Sequence, residues 1–296
     1  MPELPEGETA ARNLRRGSRG RTGRAVATSG AARLFRPQSP GAAGELGGAR
    51  FQTVRRVGKN LLLTLRRPDG ARGSPIGVWS HLGMTGKWLR RNSADAAPRF
   101  ARVSLALDDE RTLHYCDMRL FGRFRLVPAA RFAEIAELAS LGPDPLLDGI
   151  DPAALHGRLQ RVKTPIKVAL LDQTLLAGVG NILASEALFR ARLDPRRPAR
   201  ALSLGEVRRL RRGLLAAIDF GLREFEAEGV ASDQADIRYV EEPGTPNPFL
   251  VYGRAGERCP RGGGGVIQRI VQGGRATFFC PVCQGSRPAG REPRPL

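Results

Sequence analysis

The chain begins Met1-Pro2-Glu3-Leu4-Pro5-Glu6-Gly7-Glu8, three acids in eight residues of a protein whose formal charge is +19. Acids so placed are poor partners for a polyanion, so this end reads as the part that does chemistry on what the basic remainder holds. Removal of the initiator Met, usual before a residue as small as Pro2, would leave a secondary amine. Such an amine attacks an electrophilic carbon and forms an iminium, the covalent strategy of Schiff-base catalysis. Glu3 and Glu6 lie beside it in sequence. One carboxylic acid can donate a proton while another stays ionised, provided their surroundings separate their pKa values. The same residues also suit a plain helix start, with Pro5 in the first turn and acids near its N-terminus. Gly7 would weaken such a helix by ~1 kcal/mol relative to Ala.

A second set of reactive residues lies near the other end. Cys259 opens the run CPRG, Cys280 and Cys283 form CPVC, and seventeen residues separate Gly262 from Cys280. A four-thiolate zinc ribbon needs two CxxC hairpins about 15–20 residues apart, so the spacing is right and one ligand is missing. None of His81, His114 and His156 is near in sequence, which leaves water or Glu257 for the fourth position. The expectation is a three-cysteine site with zinc binding weakened or lost. Cys116, between Tyr115 and Asp117, reads as a buried thiol.

Of 48 basic residues only four are lysines, Lys59, Lys87, Lys163 and Lys167. A chain that writes Arg almost everywhere makes each Lys informative, because an ammonium is a compact point charge and a guanidinium is a planar fork. With 29 acids against those bases and a pI near 11.3, a partner made of phosphates fits better than a small metabolite. In HLGMTGKW and DMRLFGRF, Met84, Arg119 and Phe121 stand beside glycines. They suit two ordinary strands, and equally suit wedges that enter base steps and unstack a duplex.

The elements that must position these residues follow from pattern. At 296 residues the chain has room for about two domains of ~150 residues. No apolar run approaches the ~18 residues of a membrane helix and no secretory signal opens the chain, so a cytoplasmic, nucleoid-associated protein with no membrane partner is expected. From about 20 to 128, short β-like runs alternate with Gly, Pro, Asp and Asn clusters, which predicts an antiparallel sandwich or barrel. LGPDPLLDGIDP reads as a linker. KTPIKVALLDQ and NILASEALFRARL read as helices around the turn TLLAGVG, with Asn181 as an N-cap. A longer helix opens with Ser203 and Glu206 at capping-box spacing. Residues 227–248 lack a period and predict a mobile loop, 249–284 a small cysteine module, and 285–296 a disordered basic tail.

Seven collinear stretches, MPELPE, VGKNLLL, HLGMTG, DMRLFG, LGPDPL, IKVALLDQTLLAGVGNILASEALF and QGGRATFFCPVC, together resemble the bacterial formamidopyrimidine-DNA glycosylase family (Fpg, with its sister Nei), and the Fpg branch more than the Nei branch. The resemblance runs from residue 1 to about 284. It implies an α+β protein: an N-terminal antiparallel β-sandwich flanked by helices (1–140), a helix–two-turn–helix domain with a lesion loop (150–248), and a zinc-ribbon-like hairpin (249–284). It further implies a monomeric base-excision glycosylase and abasic-site lyase, acting on double-stranded DNA with a damaged base or abasic site, with no redox cofactor. Pro2 would be the nucleophile, Glu3 the acid that assists sugar-ring opening, and Glu6 the residue that positions the terminus. Lys59 and Arg275 would complete the catalytic set. His81, Met84, Arg119, Phe121, Lys163, Asn181 and Arg275 would contact DNA, with the first wedge residues filling the gap left by an everted base. Cys259, Cys280 and Cys283 would hold zinc.

Departures from that pattern are Gly262 in place of a cysteine, Leu120 in place of a second arginine, and a 227–248 segment unlike the usual lesion loop. Other readings of the chain are a noncatalytic damaged-DNA-binding paralogue with a misfolded finger, Nei-like preference for oxidised pyrimidines, and an enzyme using N-terminal proline as a base on small acids. The arginine excess and the length argue against the last.

Overall fold

The structure, a computed structural model, describes residues 2–67, 74–229, 244 and 246–285. Most of the 227–248 loop, the basic tail from 286 and Met1 lie outside these residues.

Among the described residues, eight strands build the N-terminal lobe. β1 (Gly23–Thr28), β6 (Ala101–Leu107), β7 (Arg111–Cys116) and β5 (Lys87–Asn92) form one antiparallel sheet in that order. β2 (Arg50–Val57), β3 (Asn60–Arg66), β4 (Ile76–His81) and β8 (Arg123–Pro128) form the other. Strand alternation explains the layering: Val103, Leu105 and Leu107 on β6 and Phe124 and Leu126 on β8 are buried, while their neighbours face outward. Tyr115 and Phe124 from the two sheets pack 5.8 Å apart, with Trp88 and Phe35 against the same rings. Phe35 comes from the one-turn helix α2 (Ala32–Phe35). The expected sandwich is therefore present.

The helical lobe follows a short helix, α3 (Ala136–Ala139), and the 141–151 linker. α4 (Pro152–Leu159) starts where Asp151 accepts the Ala153 and Ala154 N–H groups. α5 (Ile166–Ala169) is a single turn. α6 (Asn181–Ala191) and α7 (Leu204–Gly229) then pack together around Leu183, Leu188, Val207, Leu210 and Leu214. The capping box at α7 forms as its spacing predicts: Ser203 N–H donates to Glu206 at 2.9 Å and Glu206 N–H to Ser203 Oγ at 3.3 Å.

Helix α1 (Leu4–Ser18) joins the two lobes. Leu4 lies in the helical core, whereas Ala10, Ala11 and Leu14 lie in the sandwich core. Arg56, wholly buried on β2, ties the same seam. It donates to Glu8 on α1 at 2.9 Å and to both oxygens of Asp144 in the linker, and Asp144 also accepts Gly58 N–H at 2.8 Å. Buried charge at such a seam is tolerated because every oxygen facing the guanidinium is paired.

The C-terminal module is a hairpin, β9 (Gln268–Gln272) and β10 (Arg275–Phe279), followed by a turn of helix α8 (Pro281–Gln284). Phe278, Ile267, Cys259 and Cys280 pack with Val251 and with Phe189 of α6. Glu186 on α6 accepts the N–H groups of Val251 and Tyr252 at 2.8 and 3.1 Å, fixing the point where the chain enters the module.

Candidate active site

At the N-terminus of α6 the structure departs from the expected Asn181 cap. Gly180 is the capping residue and Asn181 is the first residue of the helix. The capping carboxylate comes from the other lobe: Glu3 Oε1 accepts Ile182 N–H at 2.8 Å and Oε2 accepts Leu183 N–H at 2.9 Å. A helix N-terminus concentrates unpaired donors and positive dipole, so it holds an ionised carboxylate well. Sequence spacing cannot reveal a cap 179 and 180 positions away from the N–H groups it accepts. Gly180 is needed because a Cβ there would overlap the Glu3 carboxyl, and Gly178, at φ +86, leaves room for Leu4. Leu4 N–H also donates to Gly178 O at 3.1 Å, so the 174–180 turn seats the start of the chain. Pro2 is buried there, next to Glu3.

Glu6 turns back to accept Glu3 N–H at 3.1 Å. Burial, with the Glu3 carboxylate beside it, pushes the Glu6 carboxyl up to about 7. The two acids thus sit in different surroundings, Glu3 on a ring of donors and Glu6 largely desolvated.

Cations close the site. Lys59 follows Gly58 in the β2–β3 turn, which abuts Ala177 and Gly178, and feels the charges of Glu3, Arg275 and Glu6. Burial holds its ammonium below the usual lysine value. Arg275 opens β10 at the Gly273–Gly274 turn, where Gly273 lies against Val168 of α5. Lys167 on α5, wholly buried, donates to Asn181 Oδ1 at 2.5 Å and to Ala276 O at 3.4 Å. Burial and the Arg275 charge pull it down to about 8. Lys167 is the site residue that motif reading left unassigned, although its type, one of four lysines beside 44 arginines, carried the signal. His81 faces Lys59 and Arg123, accepts Gly83 N–H on Nδ1 at 2.9 Å, and is held near 4 by burial and those charges. Its imidazole is neutral at pH 7, so it offers a hydrogen bond and no charge. Lys163 stands exposed in the turn after α4, outside these contacts.

The bulky loop residues share one support. Asp117, fully buried, accepts Thr85 Oγ–H at 2.6 Å, Arg119 N–H at 3.2 Å and Gly122 N–H at 2.8 Å. Thr85 Oγ in turn accepts Arg119 N–H at 3.1 Å, so the turn bearing Met84 and the loop bearing Arg119 and Phe121 form one unit. Phe121 remains 42% exposed, with the guanidinium groups of Arg119 and Arg33 about its ring at 5.0 and 5.1 Å from the centroid. Leu120 takes a left-handed backbone, φ +55, and turns against the sandwich core. The loop thus presents an exposed aromatic ring flanked by two guanidinium groups and braced by Asp117.

In the C-terminal module the Sγ atoms of Cys259, Cys280 and Cys283 all lie within 4.8 Å of one another. Thiols so close fit three corners of a zinc tetrahedron. Glu257 does not join them, contrary to one expectation: its carboxylate pairs with Arg254 at 2.7 Å. Cys116 is buried in the sandwich as expected.

Buried acids at the start of the chain, faced by cations where a β-sandwich meets a helical lobe, with a braced loop and a three-thiol hairpin, fit a DNA glycosylase. The N-terminal domain of formamidopyrimidine-DNA glycosylase matches residues 1–124, and the H2TH domain of the same enzymes matches 141–231. The chain belongs to the formamidopyrimidine-DNA glycosylase family. It is 42% identical to the Thermus thermophilus enzyme of that name, over 97% of this chain and all of the relative, and 40% identical to that of Paracoccus denitrificans, over 96% and all of it. Among solved structures, the Thermus thermophilus protein superposes with a TM-score of 0.76 at 40% identity, covering 97% of this chain and all of that one. The Lactococcus lactis protein in complex with DNA containing an abasic site gives 0.82 at 26% identity, covering 96% and all of it.

Proposed function

We propose that this chain excises oxidised or ring-opened bases from double-stranded DNA and cuts the strand at the resulting abasic site. The observation that carries the reading is the Glu3 carboxylate seated on the α6 N-terminus beside Pro2, under Lys59, Lys167 and Arg275. With Met1 removed, the Pro2 nitrogen attacks C1′ of the everted nucleotide. The glycosidic bond breaks and the base leaves with its electron pair. Glu3 takes the proton released by the Pro2 nitrogen and delivers it to the ring oxygen as the sugar opens, leaving an iminium between Pro2 and C1′. Loss of a C2′ proton then expels the 3′ phosphate, a second elimination expels the 5′ phosphate, and hydrolysis of the iminium frees the amine.

The other residues serve that sequence by position. Glu6 holds the first turn through Glu3 N–H. Lys59, Asn181 and Arg275 grip the phosphates that flank the lesion, Asn181 being oriented by Lys167. His81 donates a hydrogen bond to DNA, Lys163 meets the backbone further out, and Met84, Arg119 and Phe121 fill the gap in the stack. Cys259, Cys280 and Cys283 would hold zinc, which when bound fastens the base of the hairpin carrying Arg275 and takes no part in the chemistry. This reading divides the chain into a catalytic sandwich (1–140), a helical DNA-binding domain (150–248) and a finger (249–284), and places the protein in the cytoplasm with the chromosome. Among the described residues no helix is long and apolar enough to cross a membrane.

Borohydride reduction on duplex DNA bearing one abasic site tests the mechanism. The natural protein is expected to give a covalent adduct, and Pro2→Gly to give none while binding the duplex with affinity within about threefold, a difference under ~0.7 kcal/mol. An equal adduct from Pro2→Gly shows that the proline ring is dispensable, and an equal adduct after acetylation of the terminal amine places the nucleophile elsewhere.

A further inference from the structure

The finger brings three thiols to one point and supplies no fourth ligand among the described residues. Cys259 and Cys283 Sγ atoms are 3.5 Å apart, and Cys280 Sγ accepts Cys283 N–H at 3.4 Å. With metal–sulfur bonds of ~2.3 Å, a tetrahedron sets its sulfurs ~3.8 Å apart, so the three thiols form one of its faces. What stands at the remaining corner decides the character of the site.

Every nearby candidate is engaged or has no side chain. Gly262 occupies the sequence position that would complete the first hairpin. A Cβ built on Gly262, Gly263 or Gly264 meets no atom within 4 Å, so this side of the cluster is open. Gln284 spends its oxygen on Cys280 N–H and its nitrogen on Leu193 O, each at 2.9 Å. Glu257 is held by Arg254, and Arg261 donates to Phe189 O and Arg190 O. By contrast, a Cβ at Gly265 would strike Cys280 Sγ at 2.5 Å, so this glycine lies directly against the cluster.

A divalent d10 cation bound by three thiolates takes a fourth ligand from solution when the protein offers none. Soft donors suit such a centre better than water does. Three thiolates on a divalent ion leave a net charge of −1, and Arg258 and Arg261 flank Cys259 in sequence, which eases the addition of another anion. We propose that the finger is a three-thiolate metal site whose fourth coordination position accepts a small exogenous thiol. On binding, the thiol gives its proton to solvent, its sulfur lone pair forms the metal–sulfur bond, and the coordinated water leaves. No atom changes oxidation state.

The inference rests on the family's zinc reading of these cysteines and is tested without DNA or turnover. The full-length protein, kept reduced by a phosphine so that no thiol is present, is loaded anaerobically with one equivalent of Co(II) as a coloured stand-in for zinc. Titration with 2-mercaptoethanol follows. The thiolate-to-cobalt charge-transfer band is expected to begin at three-thiolate intensity and to rise saturably by about one third as a fourth thiolate joins. The d–d bands should move with it. Cys283→Ser should begin about one third lower, with two protein thiolates. An unchanged band on adding thiol overturns the proposal, as does a starting intensity already equal to four thiolates or a failure to bind Co(II). Because no step needs the active site, lost borohydride trapping with an intact cobalt titration would sink the glycosylase reading alone. Normal trapping with no thiol response would sink only this one.

Discussion

At the residue scale the site is built by giving chemically equal groups unequal surroundings. Glu3 and Glu6 are both carboxyls of the first turn, yet Glu3 accepts two backbone N–H groups of α6 whereas burial lifts Glu6 to about 7. The native state therefore holds the Glu6 proton more tightly than the unfolded chain, whose value is 4.5. Its contribution to stability is complete below pH 4.5 and is lost as pH rises through about 7, a change of about 3 kcal/mol. Glu6→Gln keeps an oxygen for Glu3 N–H and cannot ionise. Thermal melts should show the variant level with the natural protein at pH 5 and more stable at pH 8; an equal gap at both pH values would mean Glu6 does not titrate in this range. Gly180 makes the complementary case for Glu3. Gly180→Ala puts a methyl where the carboxyl lies, displacing it from two charge-assisted hydrogen bonds. Such bonds are worth ~1.5–3 kcal/mol each, so trapping should slow at least tenfold with the fold retained. A normal trapping rate would show that the seat of Glu3 on α6 is dispensable.

Elements matter here through what they hold rather than through their own stability. The wedge loop has little regular structure, and Asp117 replaces that structure with three hydrogen bonds joining residues 85, 119 and 122. Asp117→Asn leaves the shape but turns an NH2 toward a donor, a mismatch costing ~1–3 kcal/mol. A wedge is needed only where a base stack must be opened. Cleavage of an abasic site in duplex DNA should thus fall about tenfold, and cleavage of the same site in single-stranded DNA should stay near the natural rate; equal losses on both would make Asp117 a general support of the fold. The hairpin was expected only from the family resemblance, whereas the sandwich strands and the Ser203–Glu206 box were legible in sequence because each follows from local pattern. Asp117, Lys167 and the Arg56–Asp144 seam were not, because each depends on partners brought together from distant segments. Asn181 shows the reason sharply: its type and place before a helix predict a cap, but a carboxylate from the other lobe fills that role and frees Asn181 for Lys167.

Across the whole molecule, the charge of +19 and the acidic first turn form one arrangement. Glu3, Glu6 and Glu8 are buried and spent on α6, on the first turn itself and on Arg56, so the opening acids present little negative charge to an approaching duplex. Lys59, Lys163 and Arg275 lie on three separate segments and are the cations proposed to meet phosphates. Each phosphate neutralised adds about −0.9 to the slope of log affinity against log salt, so these three alone predict a slope near −2.7 for duplex binding. Arg275→Gln should shallow that slope by about 0.9 and weaken binding alike for damaged and undamaged duplexes, because a phosphate contact carries no sequence information. Equilibrium binding to a fluorescent duplex between about 50 and 200 mM salt, the range over which such contacts dominate, measures both quantities. A natural slope near zero would refute DNA as the partner. A steep slope left unchanged by Arg275→Gln would keep DNA as the partner and remove Arg275 from the phosphate grip, leaving its charge to act only on Lys59 and Lys167.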